Sequence, residues 1–182
     1  MYYYTGVGSR ETPPEILEIL RQTAKRLGKA GYTLRSGGAD GADDAFEQGA
    51  SFSGFSRNIY LPWNGFNGRP TDGKIYINAE CSPLFQQAVK IAEEIHPAWD
   101  KCSNGARQLH TRNVFQVLGD DLQTPSKFLI CWAIPAGKNG NVKGGTNTAV
   151  KLAQEYSVPV RNLYLPEWLD KTREWLNDSK VD

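Results

Sequence analysis

The sequence predicts an α/β protein with a mainly parallel sheet flanked by helices on both faces. Three observations lead there. Short runs rich in aromatic and β-branched residues alternate with segments of helical periodicity, the order that builds strand–helix–strand units. The run Phe128-Leu129-Ile130-Cys131-Trp132 is apolar at consecutive positions, as in a strand covered on both faces. Glycine-rich turns follow three of the strand candidates, where a parallel sheet hands over to its helices.

Tyr2–Val7 reads as the first strand. Pro13–Lys29 reads as a helix, because Ile16, Leu17, Leu20, Ala24 and Leu27 recur on one face at 3.6 residues per turn. Thr12 is its expected N-cap, the two prolines suit a first turn, and Gly31 ends it. Tyr32–Arg35 is a second strand, Ala42–Ala50 a second helix opened by a glycine-rich turn, and Asn58–Leu61 a third strand. Pro62 to Pro83 is rich in turn signals: Asn64-Gly65, Asn67-Gly68 and Asp72-Gly73. Within it, Lys74–Asn78 reads as a short edge strand or half of a hairpin. A connection this long is usually functional or mobile, so residues at about 63–82 are expected to be an insertion in a single domain spanning 1–182. Pro83–Ile95 follows as a helix with Leu84, Ala88, Ile91 and Ile95 on its apolar side, and Asn104–Leu118 as another, closed by Gly119. Lys127–Ala133 is the buried strand, Gly145–Tyr156 a helix, Val158–Leu165 a strand, and Pro166–Asn177 a last helix before a tail of mixed charge that ends at Asp182.

Composition narrows the function classes. Of 182 residues, 40% are hydrophobic and 23% charged, ordinary globular usage that argues against a disordered chain. The longest apolar run, Phe128–Pro135, is far short of the roughly 20 residues that span a bilayer. The first residues have no basic flank leading into an apolar stretch, so no secretory signal is expected. Twenty-one Lys+Arg against 20 Asp+Glu leave a net charge of +1, which supplies no global attraction to nucleic acid. Cys81, Cys102 and Cys131 form no CxxC pair, and His96 and His110 fit no metal-ligand spacing, so neither a disulfide framework nor a metal site is expected. The reading is a cytoplasmic protein with reduced thiols, no membrane partner and no cofactor.

The chemistry concentrates in the three turns. They are Gly6-Val7-Gly8-Ser9-Arg10, then Ser36-Gly37-Gly38-Ala39-Asp40-Gly41-Ala42-Asp43, then Lys143-Gly144-Gly145-Thr146-Asn147-Thr148. Glycine lets the backbone approach an anion closely, and the N–H groups at the next helix start face it. Ser9, Ser36, Thr146 and Thr148 add hydroxyl donors, while Arg10, Arg112 and Lys143 add positive charge suited to phosphate. Neither standard nucleotide fingerprint is present: there is no GxxxxGK[ST], and Glu11 stands where GxGxxG needs its third glycine. Trp63, just after the third strand, is a candidate platform for a nucleobase, with Tyr60, Phe66 and Trp99 as others. In isolation, Arg112 on its helix reads equally as a surface arginine.

Together these motifs resemble the SLOG superfamily, the Rossmann-like group that contains DprA/Smf, the LOG proteins and the YspA-like proteins. The residues that carry the resemblance are Gly8-Ser9-Arg10, Ser36 to Asp43, Pro62-Trp63, Arg112-Asn113 and Gly144-Gly145-Thr146, with Ala149 to Ala153 and Val158-Pro159-Val160 behind them. It covers about Tyr4 to Tyr164. It implies a Rossmann-like fold and a ligand site made of Gly8, Ser9, Arg10, Ser36, Gly37, Gly38, Asp40, Asp43, Trp63, Arg112, Asn113, Lys143, Gly144, Gly145, Thr146 and Thr148. It also implies a small phosphorylated nucleoside or nucleotide-derived ligand, sensed or sequestered, and a homo-oligomer. Two other activities occur in the group: DprA-like binding of single-stranded DNA, and LOG-like hydrolysis of an N-glycosidic bond. The LOG pattern sets a catalytic carboxylate after its glycine–threonine turn. Here Thr146-Asn147-Thr148-Ala149-Val150-Lys151 has none, and Asp43 is the remaining catalytic candidate, equally readable as an acidic residue in a helix's first turn.

Overall fold

β1 (Tyr2–Gly8) stands near the middle of a six-stranded sheet in the computed structural model, which describes residues 1–52 and 54–178. From β1 the chain winds outward. α1 (Pro14–Lys29) leads to β2 (Tyr32–Ser36), α2 (Ala42–Ser51) to β3 (Arg57–Leu61), and the loop-rich stretch to β4 (Tyr76–Asn78). Two helices follow, α3 (Phe85–Ile95) and α4 (Asn104–Leu118), before the chain returns to the other side of β1 as β5 (Leu129–Trp132). α5 (Thr146–Glu155), β6 (Val160–Asn162) and α6 (Pro166–Asn177) complete it. The spatial order is β4-β3-β2-β1-β5-β6, and every strand pairing is parallel. The expected α/β sheet is present, wholly parallel where a mainly parallel one was predicted.

Alternation of side chains across the sheet makes two cores. Leu129 and Cys131 of β5 join Val7, Tyr60 and the apolar sides of α3, α4 and α5. Ile130 and Trp132 join Tyr4, Leu34, Ile59 and the faces of α1 and α2, with α6 against them. That is why the β5 run is apolar at successive positions. Among the stacking candidates, Tyr60, Phe66 and Trp99 are buried in these cores.

Local chemistry trims several expected boundaries. The hairpin alternative for Lys74–Asn78 is excluded, because β4 runs parallel to β3. Its start is held back to Tyr76 by Asp72, whose Oδ1 accepts the N–H groups of Lys74, Ile75 and Tyr76 at 2.8–2.9 Å. Thr12 does not cap α1: Pro13 holds that position, and the Thr12 hydroxyl donates to the Ser9 carbonyl at 2.7 Å instead. The stretch between β3 and β4 is stapled to α2. Arg69 pairs with Asp44 at 2.7 Å and Glu47 at 2.8 Å, and the Tyr76 hydroxyl donates to Glu47 at 2.6 Å. Of the charged tail, residues 179–182 lie outside the described residues. Among the described residues no helix is long and apolar enough to cross a membrane.

Candidate functional site

In a parallel sheet all strands end at one edge, and the loops diverge where the strand order reverses. Here that point lies between β1 and β5, since β2 continues to one side and β5 opens the other. A cavity of about 710 Å³ occupies it. The turns after β1 and before α5 form its walls, with α4 along its base.

The first turn brings Gly8, Ser9 and Arg10 to the cavity. Ser9 N–H donates to the Trp132 carbonyl at 3.0 Å, which ties the turn to β5. Its Oγ accepts from Glu11 N–H at 3.0 Å, so the hydroxyl proton is left for another partner. Arg10 is exposed and makes no ion pair among the described residues. The third turn brings Lys143, Gly144, Gly145 and Thr146 to the opposite wall. Among the described residues no side chain caps the start of α5; the N–H groups of Asn147 and Thr148 donate to the Gly144 and Gly145 carbonyls at 3.1 and 3.3 Å, which leaves those of Gly145 and Thr146 to face a ligand. Asn113 on α4 steadies this turn, its Nδ2 donating to the Gly145 carbonyl at 3.1 Å.

The second turn is used differently from expectation. Only Ala39 and Asp43 of it reach the cavity. Ser36 is fully buried and donates its hydroxyl to the Gly6 carbonyl at 2.7 Å. The Gly37 carbonyl accepts from Arg112 Nη1, and the Gly38 carbonyl from Asn67 Nδ2 at 3.1 Å. Asp40 is exposed and lies outside the cavity lining. Gly41 is where turn one meets turn two. Its φ is +79°, and a Cβ there would lie 2.6 Å from the Ser9 carbonyl oxygen. The turn therefore props the site more than it lines it. Trp63 is also off the cavity, half-buried and set edge-on to Phe66 with ring centroids 5.2 Å apart. Thr148 sits behind the wall, its Oγ1 in a 2.8 Å hydrogen bond with His110 Nδ1.

Arg112 is 5% exposed, which removes its reading as a surface arginine. Besides Gly37, its Nη1 donates to the Tyr60 carbonyl at 3.3 Å, while its Nε has no partner among the described residues. Burial lowers its pKa to about 10, with Asp43 opposing that shift and Arg10 adding to it. Asp43, 4% exposed, accepts from Gly8 N–H at 3.2 Å and from Ala39 N–H at 3.5 Å. Burial raises its pKa to about 6, against the pull of Arg112 and the N–H groups of Ala39, Gly8 and Gly37. A carboxylate thus occupies the N–H of Gly8 that the sequence assigned to an outside anion.

Several cavity residues were missed from sequence. Leu109 and Gln116 lie with Arg112 and Asn113, which the sequence did name, along one side of α4, at the i, i+3, i+4, i+7 spacing that a helical reading outward from Arg112 would have reached. Gln116 is 1% exposed, lines the cavity, and has no partner among the described residues for its Nε2 or its Oε1. His96 and His110 also line the cavity, with ring centroids 4.3 Å apart. They stand fourteen positions apart in sequence, so no local motif announces the pair. The spacing of the histidines in sequence fits no metal-ligand pattern, yet in the fold His96, Cys102 and His110 present atoms that all lie within 4.8 Å of one another.

No family model matches the chain, and no curated protein matches it. Solved structures do. DNA processing protein A from Helicobacter pylori, described for its single-stranded DNA binding mode, aligns over 97% of this chain and 79% of its own, with a TM-score of 0.54 and 19% identity. The Moco carrier protein of Chlamydomonas rheinhardtii aligns over 100% of this chain and 87% of its own, with a TM-score of 0.51 and 19% identity. The fold is the Rossmann-like α/β fold of these proteins.

Proposed function

We propose that the chain binds a small phosphorylated nucleoside or nucleotide-derived ligand in the cavity between β1 and β5, as a sensor or sequestering protein. The observation that carries this reading is the pair of unsatisfied buried groups on the cavity's base, the Gln116 amide and Arg112 Nε. Buried polar atoms without partners are rare in folded proteins and cost about 1–3 kcal/mol each. They lie beneath the cavity surface, so a ligand with polar edges would satisfy them by drawing the two side chains toward it. Arg10 and Lys143 at the rim, the Ser9 hydroxyl and the start of α5 suit a phosphate. Leu109 and Ile134 offer apolar contact to the rest of the ligand. The cavity is of the size that holds a drug-sized molecule, roughly 300–1,000 Å³. One structural neighbour is by name a carrier of Moco, which accords with a small-ligand role. Three free cysteines accord with a reducing, cytoplasmic setting.

Native mass spectrometry of the freshly purified protein, followed by calorimetry with nucleoside mono- and diphosphates, tests the proposal. Arg10→Ala should weaken phosphate-bearing ligands by roughly tenfold, one charge-assisted contact. Affinity indifferent to Arg10 would remove the phosphate from this rim. Single-stranded DNA is the second reading, favoured by the neighbour described for that binding mode. Oligonucleotide binding whose logarithm falls steeply against that of salt concentration would support it. No binding at low salt would end it. Asp43 is assigned to tuning the site's charge, and release of free base from nucleoside monophosphates would reassign it to catalysis.

A further inference from the structure

We propose that His96, Cys102 and His110 form a binding site for a borderline-soft divalent metal ion, Zn²⁺ foremost, with its remaining coordination position toward the cavity. Three elements bring the donors together. His96 ends α3, Cys102 closes the turn at Trp99–Lys101, and His110 lies two turns into α4. Cys102 Sγ is 3.9 Å from His96 Nδ1 and 4.0 Å from His96 Nε2, and the three donors fall within 4.8 Å of one another. Tetrahedral zinc with a thiolate and an imidazole puts S and N about 3.6 Å apart. The set therefore needs to close by only about an ångström.

The donor chemistry selects the ion. Two imidazoles and a thiolate suit zinc and its neighbours, whereas magnesium and calcium require oxygen ligands. His110 is already oriented: a hydrogen bond between Nδ1 and Thr148 Oγ1 fixes the ring and leaves Nε2 as the ligating nitrogen, the usual arrangement behind a metal-bound histidine. His96 is the adjustable member, since its Nδ1 now accepts from Ala98 N–H at 3.2 Å. Coordination through Nδ1 replaces that bond, and coordination through Nε2 moves the ring proton to Nδ1. Cys102, whose Sγ donates weakly to the Ala98 carbonyl at 3.5 Å, gives its proton to water as the ion binds. Both imidazoles line the cavity and Cys102 does not, so the open position faces the space where a ligand would sit. A divalent ion with one thiolate leaves a net +1, which would attract a water or an anionic donor group there. The site stands whether or not the cavity's ligand is a nucleotide.

Cobalt(II) titration of the full chain, purified metal-free under reducing conditions, tests this directly. The expected result is one cobalt per chain with a thiolate-to-cobalt charge-transfer band in the near ultraviolet, displaced by Zn²⁺. Cys102→Ser should abolish the band and Cys81→Ser, at the exposed cysteine, should keep it. Thr148→Val should weaken cobalt roughly tenfold through loss of the bond that orients His110. If Cys102→Ser fails to fold, alkylation of the wild type decides: Zn²⁺ should protect Cys102 and leave Cys81 reactive, as read by peptide mass spectrometry. No charge-transfer band in the wild type, a band that survives Cys102→Ser, or equal alkylation with and without zinc would overturn the site.

Discussion

Asp43 and Arg112 are the residues on which the cavity's charge turns. Each is buried, each is pulled toward its neutral form by burial, and each opposes that pull in the other. Arg112→Leu removes that opposition and takes the guanidinium from the buried Gly37 and Tyr60 carbonyls, so it should destabilise the fold by about 3 kcal/mol in urea unfolding. Arg112→Leu combined with Asp43→Asn should cost less than the sum of the two, because their mutual attraction is lost only once. A pH effect follows with a definite sign. Asp43 holds its proton up to about pH 6 in the folded chain, whereas an unfolded aspartate releases it near pH 4. The native state therefore binds the extra proton between those values, and stability falls as pH rises through the window, by on the order of 3 kcal/mol. Relative to wild type, Asp43→Asn should gain that amount between pH 4 and 6, measured as unfolding midpoints in urea. A difference that does not vary with pH would show that Asp43 titrates normally. Sequence alone named both residues through the family resemblance, but it could not supply their burial. The side of α4 that faces the sheet is decided by α3 and α5 packing beside it, not by the residues around Arg112.

At the scale of elements, the glycine turns were legible and their division of labour was not. A glycine-rich turn looks the same in sequence whether its backbone meets a phosphate or another turn. Gly37 meets the Arg112 guanidinium, and Gly41 meets the backbone of Ser9 and Arg10. Gly41→Ala combines a positive φ with that clash, and should cost roughly 2 kcal/mol or more while displacing Ser9 from the cavity. Thermal unfolding and ligand affinity should fall together in this variant; loss of stability with intact binding would separate turn two from the site. The long connection after β3 was expected to be functional or mobile, and Arg69 gives it a fixed seat. Its partner Glu47 is 6% exposed, so Arg69→Ala should destabilise by about 3 kcal/mol by leaving a buried carboxylate with only the Tyr76 hydroxyl. Limited proteolysis within residues 62–75 should accelerate in that variant, and an unchanged cleavage rate would mean that other contacts hold the connection. Neither Arg69 nor the His96, Cys102 and His110 group has a local signature, because the partners come from separate elements.

The molecule as a whole is organised by one reversal of direction. Strands laid outward from β1 to β4 and then back to β5 leave turns one and three on either side of a crevice. Alternating strands and helices announce a parallel sheet, but the same alternation fits a chain that never reverses, so the place of the crevice is set by strand order alone. A ligand seated there touches β1, α4 and the start of α5 at once, and should stabilise the fold as a unit. At a hundred times its dissociation constant, the gain is about 2.7 kcal/mol, a rise in melting temperature of roughly 5–10 °C for a chain of this size. Arg10→Ala and Lys143→Ala alter exposed side chains and should leave the melting temperature of the free protein unchanged while shrinking the ligand-induced rise. Lys171→Ala, which removes an exposed ion pair on α6, should change neither. A rise equally reduced in all three variants would mean that the ligand responds to overall charge, and that the crevice between β1 and β5 is not where it binds.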